Sequence, residues 1–445
     1  MKPIPIRLNT SFRLSLMLVI MVVFSCGSSK DKFGDKQDNV GLAQQLIDLG
    51  NSGRISSNHY SDVVLDSKGN AYIASFFTKA DDQDYIKIIQ VQPSGEIGWV
   101  IGEQTIGRAT AITINNEDEI WVTGYFSNTF TCGTKVLKST ASENMFIVKL
   151  NPSGACSWSF VSGYGSKAFD IHVNKNNELL IAGVLAEKER LGKIEVVKNP
   201  KEAQFLAKFE GEGSCAWIKQ FNGNVRRIKS DPSGRFYVCG SYANELFDGV
   251  STNKTTSNYD HDGFLFQVTD TINWIWNFGN PGVIKYGYRT YDVAADMDID
   301  ESGNIWVITT QENQDDVDSA SSTIVGLVYS FNSTGVLQHT FETATNLQKG
   351  AVSTISMQRD SMKVTGTKLS SNEEQGQSLS FIRTYSYDGS LLGEQIVSFT
   401  GHGMLRCAYS NNSGTVFTGH YTIAMSIDSL KIENKGGHDL FMYRQ

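Results

Sequence analysis

The sequence predicts an all-β fold, a seven-bladed β-propeller of four-stranded antiparallel blades, and three observations lead to it. A strand–turn–strand phrase occurs seven times along the chain. A second strand–turn–strand phrase follows each of the first six copies. The seventh copy lacks one strand, and a segment near residue 46 matches the missing strand. Four short strands in a repeat of about 60 residues are typical of a propeller blade.

The first phrase joins an alternating strand to an aromatic-rich strand through a short polar turn that often ends in Gly. Such a phrase suits the two inner strands of a blade, because strands alternate buried and exposed side chains and Gly fits tight turns. Its seven copies begin at Asp62, Ala111, Asp170, Arg227, Asp296, Ser353 and Cys407.

The second phrase predicts the two outer strands of each blade. Its turn glycines Gly95, Gly154 and Gly213 follow one another at equal intervals. A Trp recurs at one position of the fourth strand, where we expect it to pack between blades rather than to bind sugar, since a Trp buries a large apolar surface. The series is Trp99, Trp158, Trp217 and Trp276, with His339 and Gly393 at the same position in blades five and six.

The segment from Leu46 to Asn51 (LIDLGN) copies the pattern of Ile275 to Asn280 (IWNFGN), the predicted fourth strand of blade four. We therefore expect it to pair as the outer strand of blade seven. Such pairing closes the ring and removes the exposed edges of an unfinished blade. The predicted propeller domain covers residues 40–445.

The phrase D-x-x-x-D-x-x-G-N-x-Y/W-V, followed by F-V-x-K-x-x-x-x-G-x-x-x-W, resembles the bacterial β-propeller-repeat family called SBBP. The pattern is clearest in residues 62–73, 146–158 and 296–307, and it extends more loosely through blades five and six. The resemblance implies a propeller repeat protein that is exported by a bacterium, and it supplies no catalytic residues.

Residues 1–25 have the pattern of a lipoprotein signal peptide. Lys2, Arg7 and Arg13 accompany an apolar run from Leu14 to Phe24, which is too short to span a bilayer, since a span needs about 20 residues. Cys26 follows in a context that resembles a bacterial lipobox, so we expect it to carry lipid. The polar residues 26–39 then form a flexible tether. These features predict a location in the cell envelope, anchored to the outer membrane on its periplasmic or surface face.

The net charge and the missing catalytic motifs restrict the classes of function that the sequence supports. The net charge is -8, the pI is near 5.5 and no basic run occurs, so nucleic acid is not expected as a partner. The chain contains no H-E-x-x-H, C-x-x-C, G-x-S-x-G or P-loop motif, which favours a protein that is not an enzyme.

The first strands carry the candidate binding site, because the innermost strands of a propeller line its central tunnel. Polar positions alternate there with apolar ones. The polar ring predicts either a site for a polar ligand or a water-filled tunnel held by ion pairs. The candidate residues are Asp62, Asp170, His172, Arg227, Lys229, Asp296, Asp298 and Tyr409.

Asp296, Asp298 and Asp300 share one face of the first strand of blade five. Carboxylates in this arrangement are ligands that Ca²⁺ prefers, but Gly303 and the lack of a Glu at position twelve do not match an EF-hand loop. We expect no cofactor and a solvated tunnel wall, with Ca²⁺ as the alternative.

We therefore expect a non-enzymatic, lipid-anchored binding or scaffold module that holds an envelope protein or glycan. Its contact face would include the long loops 243–261, 278–290 and 310–323, because loops on a rigid scaffold commonly bind ligands. The alternative is a propeller hydrolase or lyase acting on polysaccharide, with Asp170 or Asp296 as acid–base groups.

Overall fold

The computed structural model describes residues 44–51, 61–200, 204–243, 245–247, 252–254, 261–279, 292–314, 322–344, 351–369, 377–434 and 437–445. Within these ranges the regular structure is all β, and the strands form seven antiparallel blades of four strands each. The predicted seven-bladed β-propeller is confirmed. In the same ranges no helix is long and apolar enough to cross a membrane.

The strands succeed one another blade by blade along the chain. The first strand, β1 (Gln45–Asn51), belongs to blade seven; blade one contains β2 (Asp62–Leu65), β3 (Ala71–Thr78), β4 (Asp84–Val91) and β5 (Ile97–Ile101), and blade two contains β6 (Gly107–Ile114), β7 (Ile120–Phe126), β8 (Thr129–Cys132), β9 (Lys135–Lys138), β10 (Asn144–Leu150) and β11 (Cys156–Val161). Blade three contains β12 (Lys167–Val173), β13 (Glu178–Val184), β14 (Lys188–Leu191), β15 (Ile194–Val197), β16 (Gln204–Glu210) and β17 (Ser214–Phe221), and blade four contains β18 (Gly223–Ser230), β19 (Phe236–Ala243), β20 (Glu245–Phe247), β21 (Thr252–Lys254), β22 (His261–Val268) and β23 (Ile272–Phe278). Blade five contains β24 (Val293–Ile299), β25 (Ile305–Gln314), β26 (Ser322–Phe331) and β27 (Leu337–Ala344), blade six contains β28 (Ala351–Met357), β29 (Met362–Leu369), β30 (Gln377–Tyr385) and β31 (Leu391–Thr400), and blade seven contains β32 (Gly403–Asn411), β33 (Gly414–Tyr421), β34 (Ala424–Ile427), β35 (Leu430–Glu433) and β36 (Asp439–Arg444).

Each blade is a meander in which consecutive strands pair, and short hairpins extend four of the blades. The hairpins β8–β9, β14–β15, β20–β21 and β34–β35 lie between the second and third strands. The last of them joins blade six, because β34 pairs with β31 from Val397↔Ile427 to Thr400↔Ala424. The innermost strands contact one another around the ring, and β2 contacts both β6 and β32. The ring is therefore closed.

Strand β1 completes blade seven. It pairs antiparallel with β36, with Gln45 opposite Arg444, so the blade has the order β32-β33-β36-β1. Two side-chain bonds also tie β1 to blade one: Lys87 Nζ donates to the Leu49 carbonyl at 2.7 Å, and Gln45 Nε2 donates to the Pro93 carbonyl at 3.0 Å. The closure that the sequence predicted is present.

The recurring spacing within the repeat phrase has a structural cause in the turn between the first two strands. The buried Asp66 accepts the N–H groups of Lys68 at 2.9 Å and Asn70 at 2.8 Å through Oδ1. Its Oδ2 accepts the hydroxyl of Tyr72 at 2.9 Å. One carboxylate thus fixes the turn and satisfies a buried aromatic donor, as Asx turns do. The same bonds to the aromatic residue join Asp231 to Tyr237 and Asp300 to Trp306, each at 3.0 Å.

Apolar side chains between neighbouring blades form the core, and the fourth-strand Trp contributes to it. Trp99 packs against the cluster between blades one and two and donates from Nε1 to the Pro152 carbonyl at 3.1 Å. A Cβ on Gly154 would come within 3.0 Å of the Trp99 ring, and Gly154 has a φ of 81°. The turn glycine is therefore required both for backbone conformation and for the approach of the Trp. The predicted packing role holds for Trp99.

One member of the predicted Trp series is wrong. In blade four the residue in register with the Trp99 position is Trp274, because Trp274 faces Gln267 as Trp99 faces Gln90. The turn before Trp274 is shorter than the turn in blade one, which moves Trp276 two residues further along the strand. Both tryptophans pack against the same cluster between blades four and five.

Candidate binding site in the central tunnel

Six of the seven innermost strands contain one extra residue relative to their partner strand. The register breaks lie between the residue pairs Ala109/Ala111, Ala168/Asp170, Val225/Arg227, Ala294/Asp296, Val352/Thr354 and Leu405/Cys407. Each break is a β-bulge, which shifts the alternation of side chains by one position. The residue after each bulge faces the tunnel.

The bulge corrects the predicted alignment of blade six. Thr354 pairs with Thr365 as Asp170 pairs with Ala182, so Thr354 and not Ser353 occupies the first tunnel position of that blade. The next tunnel position is Ser356 rather than Ile355, which is buried between blades. Blade six lacks the Asp and Gly residues that mark the phrase, so its sequence did not determine which residue occupies the first tunnel position.

An ion cluster lies at the first position of the tunnel. We call Arg227, Asp62, Asp170 and Asp296 the arginine cluster. The guanidinium of Arg227 contacts carboxylates from three other blades: Nε lies 2.8 Å from Asp296, and Nη1 lies 3.2 Å from Asp62 and 3.9 Å from Asp170. All three carboxylates are buried, and buried charges of this kind are stable only when they are paired and hydrogen-bonded.

The same three carboxylates join neighbouring blades through the backbone. Asp62 accepts the N–H of Ile112 at 3.1 Å, and Asp170 accepts the N–H of Ile228 at 2.5 Å. Asp296 accepts the N–H of Ile355 at 3.1 Å, and also the Thr354 hydroxyl at 2.5 Å. Each bond runs from an odd-numbered blade to the even-numbered blade that follows it.

Cys407 brings the seventh blade into the same network. Its Sγ donates to Asp62 at 3.0 Å and lies 3.7 Å from Nη2 of Arg227. The arginine cluster, its backbone partners and this thiol therefore connect all seven blades around one guanidinium. This is an arrangement that stabilises the closed ring from its axis.

Burial and neighbouring charges set the protonation of the cluster. Burial is the main reason that the pKa of Asp170 is raised to about 7; the charge of Arg227 lowers this pKa, and the charge of Asp62 adds to the rise. Burial disfavours the charged form of Arg227, but Asp296 and Asp62 raise its pKa overall. A proton on Asp170 relieves the excess of negative charge around the one cation.

A second polar layer lies next along the tunnel. Lys229 Nζ pairs with Asp298 Oδ1 at 3.1 Å and lies 5.8 Å from the centre of the Tyr409 ring. The other oxygen of Asp298 accepts the N–H of Met357 at 2.9 Å. His172 contacts the Ser230 hydroxyl at 3.1 Å, and burial, followed by the charges of Lys229 and Arg227, lowers the pKa of His172 to about 3. His172 is therefore neutral at physiological pH.

Between these two layers lies a cavity of about 40 Å³, which has room for no more than a few water molecules. Asp62, His172, Arg227, Lys229, Asp296 and Tyr409 line it. Asp170 and Asp298 contact two of these residues. The structure thus brings all eight predicted tunnel residues together, with most of their charges engaged by one another.

A larger space opens beyond the second layer, where the first strands turn into the second. We call it the mouth hollow. Its volume is about 460 Å³, and it shares His172 and Ile114 with the inner cavity. Polar side chains from the turns of blades two to five line it, chiefly Asn115, Glu117, Asn174, Lys175, Ser230, Asp231, Asp300 and Glu301. Of these turn residues the sequence pattern singled out only Asp300, although all of them lie in or next to the polar turn of the first repeat phrase.

Asp296 and Asp298 of β24 and Asp300, which directly follows this strand, do not share one partner. Asp296 contacts Arg227, Asp298 contacts Lys229, and Asp300 accepts two N–H groups of its own turn and the Trp306 indole. Across the described part of the chain, no group of three His, Cys, Asp or Glu side chains is arranged to hold a metal ion.

Other predicted features fall largely outside the described residues. Cys26, the signal peptide and the tether lie there entirely. Inside the loop 243–261, the structure describes residues 245–247 and 252–254, which pair as the hairpin β20–β21. Residues 280–290 and 315–321 of the other two loops also lie outside, and β25 and β26 extend to Gln314 and from Ser322.

The fold and the tunnel define the chain as a closed seven-bladed β-propeller protein. No protein-family model matches it, and no curated protein does. The resemblance to the SBBP family stays a prediction.

Several solved structures are similar in part. A protein of unknown function from Bacteroides caccae shares 11% identity at a TM-score of 0.37, covering 67% of this chain and 94% of that one. The polysaccharide lyase Uly1 shares 8% identity at a TM-score of 0.46, covering 88% and 91%. The β-propeller domain of the Trilobed protease from Pyrococcus furiosus shares 10% identity at a TM-score of 0.43, covering 85% and 96%.

Proposed function

We propose that this protein is a non-enzymatic binding module of the bacterial cell envelope, which holds a polar segment of a protein or glycan in the mouth hollow. The observation that carries the proposal is that the hollow is lined by polar side chains and adjoins a far smaller inner cavity, with which it shares His172 and Ile114. A volume of about 460 Å³ falls within the range of small-ligand sites. A ligand of that size fits the hollow but not the inner cavity of about 40 Å³.

The lining of the mouth hollow supports a polar ligand. Asn115 and Asn174 are held by their turns, since their Oδ1 atoms accept N–H groups two and four residues further on. Glu117 and Lys175 are exposed. The amide N–H groups of Asn115 and Asn174 are also bound within the protein, so these two side chains fix the turns. The carboxylate of Glu117 and the ammonium of Lys175 on these turns suit the hydroxyl groups of a sugar or the backbone of a peptide.

The two predicted acid–base residues favour binding over catalysis. Glycoside hydrolysis uses two carboxyl groups on either side of a substrate, with space between them. Asp170 and Asp296 are instead buried around Arg227 and accept backbone N–H groups. The raised pKa of Asp170 is therefore attributed to its burial in the arginine cluster rather than to general acid catalysis.

The proposal includes the location of the protein in the cell. We infer that Cys26 is lipidated, that residues 26–39 tether the propeller and that the anchor lies in the outer membrane, in an exported protein of the SBBP type. The support is the sequence pattern of residues 1–39. Labelling of the expressing bacterium with a palmitate analogue should mark the wild type and not a Cys26→Ser variant. Equal labelling of both would remove this part of the proposal.

The binding role is tested by glycan and peptide array screening of the purified chain, followed by calorimetry on each hit. A double variant with Glu117→Ala and Lys175→Ala should bind a ligand of the mouth hollow with an affinity at least tenfold lower than the wild type. Lys68→Ala is the matched control, because Lys68 is exposed on the equivalent turn of blade one and does not line the hollow.

Two outcomes would contradict the proposal. If the double variant and the Lys68→Ala control bind the ligand with equal affinity, the ligand binds outside the mouth hollow. Breakdown of a bound glycan by the wild type, lost in Asp170→Asn or Asp296→Asn, would establish the enzyme alternative instead.

A further inference from the structure

The end of the tunnel opposite the mouth hollow carries two positive charges. The six bulge residues form a rim just before the arginine cluster, and they are Thr110, Phe169, Arg226, Ala295, Ser353 and Arg406. Only two of the six are charged, and both are arginines. We call Arg226 and Arg406 the rim arginines.

The bulge places the rim arginines beside the residues that line the inner cavity. Side chains of a regular strand alternate between its two faces. An extra residue shifts this alternation, so that the bulge residue lies on the same side as the tunnel residue after it. Arg226 precedes Arg227 and Arg406 precedes Cys407, which both line the inner cavity. The rim arginines come from blades four and seven, with two blades between them on one side of the ring and three on the other.

Neither rim arginine is neutralised by a described part of the protein. Nε of Arg406 is buried without a hydrogen-bond partner, and neither guanidinium forms an ion pair with any described residue. Arg226 is exposed and Arg406 half-buried. Burial, and then the like charge of Arg226, lowers the pKa of Arg406 to about 10. This is the opposite of the effect that carboxylates exert on Arg227.

Two like charges at the rim of a narrow tunnel, one of them partly desolvated, disfavour each other unless an anion lies between them. Guanidinium groups bind carboxylate, sulfate and phosphate through paired N–H donors, with a strength and geometry that lysine does not match. We propose that the rim arginines form a binding site for one oxyanion group, the carboxylate or sulfate of an acidic ligand. This site lies at the end opposite the mouth hollow and does not depend on the function proposed above.

The test measures thermal unfolding and calorimetric binding of the full chain, purified in detergent, with sodium sulfate against sodium chloride at equal ionic strength. Sulfate should raise the melting temperature of the wild type, because it binds the folded protein only. Arg406→Gln and Arg226→Gln should each weaken sulfate binding at least tenfold. Arg359→Gln is the matched control, since Arg359 is exposed on the turn side of blade six and its loss removes the same charge.

Sulfate also stabilises proteins in general by exclusion from their surface. If the melting temperature rises equally in all four proteins, this general effect accounts for it and the proposed site is wrong. Arg226→Gln keeps the test decisive if Arg406→Gln fails to fold, because Arg226 is exposed.

A second set of titrations distinguishes binding of a simple anion from binding of an acidic sugar. Glucuronate is compared with acetate and with glucose in the same titration. Tighter binding of glucuronate than of acetate, abolished in Arg226→Gln, would assign the oxyanion to a sugar. Equal binding of glucuronate and acetate would assign a carboxylate alone, and no binding of sulfate, acetate or glucuronate would overturn the proposal.

Discussion

Arg227 and Arg406 occupy neighbouring positions of the same inner-strand pattern, yet their surroundings are opposite. Arg227 follows its bulge and lies among three carboxylates. Arg406 is itself the bulge residue of its strand, and its buried Nε has no partner among the residues that the structure describes. A shift of one position thus separates a cation that is paired with carboxylates from a cation that is available to a ligand. Substitutions at both arginines and at their neighbours test this contrast, from the largest expected effect to the smallest.

Removal of the paired arginine should have the largest effect. Arg227→Met leaves three buried carboxylates without their cation, which should lower the free energy of unfolding by about 3–5 kcal/mol. Urea denaturation at pH 7 measures the change. Arg359→Met, at an exposed site, should stay within about 0.5 kcal/mol of the wild type. A loss for Arg227→Met no greater than that of the control would mean that the cluster does not stabilise the ring.

Removal of one carboxylate charge from the cluster should have a smaller effect. Asp296→Asn weakens bonds to Arg227, Thr354 and the Ile355 N–H, and charged hydrogen bonds of this kind contribute about 1.5–3 kcal/mol each. The expected loss is about 2–3 kcal/mol, because the amide oxygen can still accept one bond. Asp298→Asn, in the second layer, provides the comparison and should cost less. The reverse order would show that Lys229 and not Arg227 is the principal cation.

Asp170 should make stability depend on pH. Its folded pKa, about 7, lies above the ordinary value of 3.8, so between these values the folded protein binds a proton that the unfolded chain has released. The contribution to stability is complete below pH 3.8 and is lost as the pH rises through 7. Its slope is at most about 1.4 kcal/mol per pH unit. In Asp170→Asn this group no longer titrates, so the stability of the variant relative to wild type should increase from pH 4 to 7 and level off above 8.

Denaturation curves of both proteins across this pH range measure the difference. Asp388→Asn is the control, because Asp388 is exposed and its pKa is lowered. The control should remain parallel to the wild type from pH 5 to 8. A parallel curve for Asp170→Asn as well would mean that Asp170 stays ionised in the cluster.

Removal of the unpaired arginine should have the smallest effect, and of opposite sign. Arg406→Met replaces a partly desolvated charge by an apolar side chain, and such replacements are often neutral or stabilising. We expect a gain of about 1 kcal/mol in the absence of sulfate. A loss of about 2 kcal/mol or more, well beyond an ordinary surface substitution, would place Arg406 with Arg227 as a structural cation and end the contrast between them.

The sequence predicted the blades and their closure because both depend on local patterns. Alternation marks strands, and turn phrases such as Asp66 to Tyr72 mark the connection between them. Predictions failed where a blade lacks the residues or the turn length that define the repeat pattern. The repeat phrase aligns Ser353 with Asp62 and Asp170 because no bulge is visible in a single strand, and it aligns Trp276 with Trp99 because the turn of blade four is shorter than the others.

The tunnel residues were predicted, but the arrangement among them was not. Alternation assigns Asp62, Asp170, Arg227 and Asp296 to the tunnel wall. It does not say that one guanidinium reaches three of the other blades, because that depends on the diameter of the ring and on the side-chain conformations. The rim arginines were missed for the same reason as Thr354, since the bulge moves each of them by one position.

The pairing of β1 with β36 has a consequence for the kinetics of folding. Blades one to six are built from strands that are close in sequence, whereas Gln45 must meet Arg444 across nearly the whole chain. Contacts between distant residues form slowly, because a long loop must close before they contribute. During synthesis blade seven can therefore be completed only after β36 has left the ribosome, and until then both β1 and the edge strand of that blade remain unpaired. A circular permutant that places β1 directly after β36 would keep the same sheet and convert the slowest pairing of the molecule into a local hairpin.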